Sequence, residues 1–136
     1  MHDSAEAVRE LLNVSNGPTY DLNVGQFPVT PDKAVLINAA GGRPPYPHLA
    51  LNFPSVQVMV RGKPSGYTEA REEMRLICNL LLGMGSTVAN EDTYRSCNQL
   101  GDVIYLGQDN RGRPIFSANF WYIVEPSDLG NRVAIT

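Results

Sequence analysis

The chain has 136 residues, of which 43% are hydrophobic and 18% charged, and its net charge is -3. That size and apolar share predict one domain, 1–136, with a true core, and they argue against wholesale disorder. The acidic balance argues against a general nucleic-acid binder, which needs a basic surface, and no apolar run approaches the ~20 residues of a membrane helix.

The N-terminal segment MHDSAEAVRE is polar and starts a helical pattern, so it does not read as a signal peptide. Asp3 followed by Glu6 resembles a capping box. Ala7, Val8, Leu11, Leu12 and Val14 then form an apolar stripe at helical spacing, ended by Ser15–Pro18. Residues 17–33 read as extended loop. Ala34–Asn38 reads as a short buried strand. Residues 39–54, AAGGRPPYPHLALNFP, carry four prolines and read as a long irregular loop, a kind of segment that is often functional. Ser55–Gly62 alternates cleanly, with Val56, Val58 and Val60 on one side and Gln57, Met59 and Arg61 on the other.

A strong helix is predicted from Tyr67 to Leu82. Tyr67, Ala70, Met74, Ile77, Cys78 and Leu81 share its apolar face, and Glu69, Glu72, Glu73 and Arg75 lie on the polar one. Three strand candidates follow: TYRSCNQ (93–99), DVIYLGQ (102–108) and PIFSANFWYIVE (114–125). DNRGR, Asp109–Arg113, joins the last two as a hairpin loop. The last strand carries bulky side chains on both faces, so both faces need cover. The order of elements predicts an α+β domain: one mostly antiparallel β-sheet, two main α-helices on one face, and long Pro/Gly-rich loops. The bare face then needs a second layer or a partner subunit.

Tests for chemistry are negative. AAGGRPP lacks the lysine and the spacing of a phosphate loop, and its prolines have no N–H to offer. GMGSTV lacks the third glycine of a dinucleotide fingerprint and follows a helix. His2 and His48 stand apart, and no nucleophile elbow is present. Two Cys and two His without close spacing do not suggest zinc. Asp109 and Asn110 are too few for a calcium loop. Glu69, Glu72 and Glu73 read as solvent-exposed carboxylates on a helix face. Cys78 and Cys97 read as reduced, mostly buried thiols. No catalytic residue, metal or cofactor is therefore expected.

Four features in order carry a family resemblance: a short strand leading to AAGGRPPYP; the strand FPSVQVMVRG; the helix SGYTEAREEMRLICNLLLG; and the hairpin LGDVIYLGQDNRGRPIFSANFWYIVEP. Together they resemble the tailed-bacteriophage minor capsid or tail terminator family, also called tail completion or tail-to-head joining proteins. The resemblance covers about residues 3–126; residues 127–136 are set apart as a candidate C-terminal extension.

The resemblance implies a non-enzymatic virion protein of the tail or neck, assembled in the host cytoplasm. It implies a homo-oligomer, a hexameric ring on the head-proximal end of the tail tube. That ring ends tube polymerisation and joins the tail to the head–tail connector or stopper protein, with DNA passing through its lumen unbound. A neck head-completion protein and, from another class, a small-molecule-binding or hydrolytic domain are the alternative readings. A ring needs one surface of a subunit against a different surface of its neighbour. Arginine and aromatic residues are the usual anchors of such contacts, and a stiff proline-rich segment loses little entropy on binding. Candidate interface residues are accordingly Arg43, Pro44, Pro45, Tyr46, Phe53, Arg61, Arg111, Arg113 and Trp121.

Overall fold

A computed structural model of the protein describes residues 1–15, 17–45 and 51–127. Tyr46 and His48 lie outside the described residues, as does nearly all of the candidate extension. The elements run α1 (Ser4–Ser15), β1 (Asp21–Val24), β2 (Ala34–Arg43), β3 (Phe53–Arg61), α2 (Tyr67–Gly83), β4 (Thr87–Ala89), β5 (Asp92–Gln108) and β6 (Pro114–Glu125). The strands form one sheet in the order β1-β2-β3-β6-β5-β4. Among the described residues only the β1–β2 pair is parallel. The expected α+β domain, with one mostly antiparallel sheet and two helices, is what is found.

Helix α1 begins where the Asp3 carboxylate accepts a hydrogen bond from the Ala5 N–H (3.2 Å), satisfying one orphan donor of the first turn. Glu6 turns to Arg9 instead of closing the capping box. The helix ends where the Ser15 hydroxyl donates back to the Leu12 carbonyl.

The core lies between the helices and one face of the sheet. Val8, Leu12, Met74, Ile77 and Leu81 from the helices meet Val35, Ile37, Val56, Val58, Val60, Phe116, Phe120, Tyr122 and Val124 from the strands. The alternation seen in Ser55–Gly62 is thus the in–out alternation of β3, which pairs with β6 from Ser55↔Trp121 to Arg61↔Ile115. The opposite face carries Asn38, Ser55, Gln57, Met59, Asn119, Trp121 and Ile123. No helix or second sheet covers it among the described residues.

Four sequence readings need correction. Residues 17–33 contain β1, which four short residues gave no pattern to reveal. Strand β2 runs on to Arg43, through residues read as loop, because a bulge between Ala39 and Gly42 lets pairing resume at Gly42↔Pro54 and Arg43↔Phe53. The two candidates at 93–99 and 102–108 are one strand, β5, continued through Gly101 at φ +70. Glu73, read as exposed, is buried (6% exposed) because it caps the chain entering β1: its carboxylate accepts from the Thr19 N–H (3.0 Å), the Thr19 hydroxyl (3.0 Å) and the Tyr20 N–H (3.3 Å).

Candidate functional site

The glycine–proline stretch forms the outer half of a β2–β3 arm. Its glycines serve the bulge. Gly41 and Gly42 sit at φ +84 and +119, in the region that disfavours side chains. A Cβ at Gly42 would lie 2.1 Å from the Phe53 carbonyl oxygen, so only glycine lets β2 come back into pairing there. Arg43, Pro44 and Pro45 follow and are exposed.

Arg43 pairs with Phe53 across the arm, and Ser55 pairs with Trp121 on β6. The Arg43 guanidinium therefore sits 4.6 Å over the Phe53 ring and 5.5 Å over Trp121. Such stacking at an exposed site is worth about 0.5–1 kcal/mol. Gly42, Ser55 and Leu100 complete a shallow hollow of about 360 Å³ around it, on the face that the helices leave bare. No carboxylate pairs with Arg43 among the described residues. The stacking holds a cation in place and leaves its hydrogen-bonding edge available.

Arg61 and Arg113 are placed differently. Arg61, 3% exposed, donates to the carbonyls of Asp32 (2.9 Å), Pro28 (2.7 Å) and Pro31 (2.8 Å) and stacks on Phe27 at 4.8 Å. Arg113, also buried, donates to the Asp109 carboxylate (2.7 Å), the Val29 carbonyl (3.0 Å) and the Asp32 carboxylate (3.2 Å). Between them they clamp residues 28–32 against the ends of β3 and β6. Asp109 also accepts from the Arg111 and Arg113 N–H groups. Burial pushes its carboxyl up, but these bonds and the Arg113 charge together hold it below the usual range. Arg111 is exposed in the turn. The structure thus brings Arg43, Phe53 and Trp121 together, and sets Arg61 and Arg113 to internal work.

Asp92 was missed by sequence reasoning. It is fully buried and accepts hydrogen bonds from the His2 N–H (2.8 Å) and the Ser127 N–H (3.0 Å). Burial opposes its ionisation, yet the bonds from Ser127 and His2 prevail and hold its carboxyl below the ordinary range. A single Asp at a strand start gives no such signal in sequence, because its partners are about 90 and 35 residues away. Burial pushes both the Cys78 and Cys97 thiols up to about 11, which keeps them protonated and unreactive near neutrality. No cluster of three or more His, Cys, Asp or Glu suited to a metal occurs among the described residues, and among them no helix is long and apolar enough to cross a membrane.

Residues 11–126 match the family model for the bacteriophage tail terminator protein. The chain belongs to that family. A search of the curated proteins gave no match. As a tail terminator it is a structural component of the phage tail within the virion. The match spans every strand and α2, and part of α1.

Proposed function

We propose that this tail terminator caps the head-proximal end of the tail tube as a homo-oligomeric ring, a hexamer, that stops tube polymerisation and then joins the tail to the head–tail connector. It works without catalysis. The family match over residues 11–126 carries this reading. The bare sheet face and the β2–β3 arm support it, because a large uncovered face with bulky side chains is what a subunit of an assembly presents. DNA passes through the lumen without being gripped, in keeping with the net charge of -3. Assembly takes place in the host cytoplasm.

The direct test is to add the purified protein to polymerising tail tubes and to image them. Capped tubes of uniform length, with rings at one end, are the expected result. Unchanged tube growth at saturating protein would overturn the proposal. The surface is tested by Arg43→Glu, which removes the stacked cation without touching the core. The variant is expected to melt like the wild type and to leave tubes uncapped or heads unjoined. Normal joined particles from that variant would remove Arg43 and its hollow from the contact.

A further inference from the structure

The two ends of α2 carry unlike surfaces. At its N-terminal end, Tyr67, Tyr105 and Phe116 form an aromatic trio with ring centroids 5.0–5.1 Å apart. Tyr67 and Tyr105 remain 46% and 43% exposed. Arg71 and Arg75 rim the groove between this trio and α2. Arg71 pairs with no carboxylate among the described residues, and Arg75 reaches only Glu72, at 3.7 Å. Beyond Tyr94, β5 has no outer strand beside it among the described residues, since β4 pairs with Asp92–Tyr94. Asp102 lines the same groove and Arg75 faces Glu72, so this end is apolar and aromatic, with Arg71 as its unpaired cation among the described residues.

At the other end of α2, Met84, Gly85, Val88 and Val14 line a hollow of about 380 Å³ between the end of α1 and β4, with Glu10 on its rim. Val14 is 74% and Val88 63% exposed. Glu91, exposed in the turn after β4, is paired with His2 at 3.0 Å, so Glu10 is the acid this end offers. This end is apolar and acidic. Arg71 on the one surface and Met84 on the other are thirteen residues apart along α2, roughly 20 Å of helix, so one subunit cannot join its own ends.

We infer that these ends are the two halves of one head-to-tail contact: the Tyr67–Arg71–Arg75 end of one copy seats on the Glu10–Val14–Val88 end of the next. Both ends expose large apolar side chains that are costly to leave in water, and Arg71 on one is opposite in charge to Glu10 on the other, which favours this register over like-with-like pairing. Two different patches at opposite ends give a heterologous contact, which closes into a ring or runs on as a filament. The inference rests on the proposed ring and names the surface that builds it. It leaves the Arg43 hollow on the sheet face for the tube or the connector.

The test uses Arg71→Glu and Val14→Arg in the full chain, singly, mixed and combined. Arg71 and Val14 are both exposed, and an arginine in the last turn of α1 suits its dipole. Thermal melts check that each variant folds; should one not, Arg71→Gln and Val14→Gln give the weaker version of the same series. Native mass and imaging, with and without tubes, give the readout. Each single variant is expected to lose at least tenfold in self-association. In Arg71→Glu the new carboxylate would face Glu10 of the neighbouring copy, and in Val14→Arg the new guanidinium would face Arg71. An equimolar mixture is expected to regain rings by alternation, and the double variant to regain them alone. If the wild type forms rings and the folded single variants form them equally well, the inference fails and the ring stands. If the singles fail but neither the mixture nor the double variant recovers, the two ends are not partners, and the inference fails. A wild type that forms no ring, alone or on tubes, sinks the proposed function together with it.

Discussion

Arg61 offers the sharpest separation of fold from function. Its guanidinium makes three hydrogen bonds to loop carbonyls at 2.7–2.9 Å and is almost wholly buried. Bonds from a charged donor contribute about 1.5–3 kcal/mol each. Three such bonds would suggest a gross loss of about 4.5–9 kcal/mol for Arg61→Ala. Several terms reduce it. The loop lies at the surface, with Pro31 exposed, so water reaches the freed carbonyls. Release of the ordered side chain returns about 2 kcal/mol. Removing one of two neighbouring cations also relieves repulsion, since burial and then the Arg113 charge both lower the Arg61 pKa. The net expectation is a loss of about 2–4 kcal/mol, or a fall in melting temperature of about 6–15 °C for a chain this size. Guanidinium titration with an unchanged slope, alongside calorimetry, measures it. Arg43→Ala, by contrast, gives up exposed stacking alone and is expected to cost less than about 1 kcal/mol. A loss at Arg61 under about 1 kcal/mol, or equal losses at both arginines, would refute the assignment of Arg61 to a buried clamp and of Arg43 to an exposed stack.

The two glycines of the arm are expected to behave unequally. Gly42→Ala, where the Cβ would meet backbone at 2.1 Å, should break pairing beyond the bulge and expose the Arg43 amide to hydrogen exchange; Gly41→Ala, with nothing within 4 Å, should cost only the strain of its positive φ, about 1–2 kcal/mol. Equal protection of the arm in both variants would contradict the bulge geometry. Asp92 titrates below its ordinary value in the fold, so its contribution is present above the unfolded value near pH 3.9 and is lost as pH falls through the lower folded value. Asp92→Asn is expected to be less stable than the wild type at pH 7 and to lose less stability between about pH 4 and pH 2; parallel stability curves for the two proteins over that range would rule this out.

The elements that sequence displays well are those whose period survives intact. Strands β3 and β6 alternate without interruption through Val56–Val60 and Phe116–Val124, and α2 keeps one apolar face from Ala70 to Leu81. Strand β5 hides because its register against β6 shifts between Tyr94 and Ser96, between Leu100 and Ile104, and between Tyr105 and Gly107. The one-residue shift between Tyr94 and Ser96 reverses which residues face the core, so Tyr94 before it and Cys97 and Tyr105 after it all point inward without one alternation running through the strand. The arm hides because glycine and proline argue against a strand until a bulge and a buried Pro54 are allowed for. Among the candidate residues, sequence marked Arg43, Phe53 and Trp121, which do meet. It had no means of telling Arg43 from Arg61: both are arginines at strand ends, and only the loop folded over Arg61 distinguishes them. Glu73 misled because its helix position is polar-facing by periodicity, while its partners come from the chain near Thr19.

The register shifts also give β5 spare contour. From Thr93 to Gln108 it takes fifteen steps to run beside the eleven of β6 between Glu125 and Pro114. One surplus residue lies between Tyr94 and Ser96, and the rest are held where Gly101 and Gly107 adopt positive φ with nothing within 4 Å of where their side chains would be. An inserted or deleted residue at those points would be absorbed by the outer strand, while β6, the core and the clamp on residues 28–32 kept their places. The rim of the molecule can therefore change length and outline by single residues at small cost to the fold.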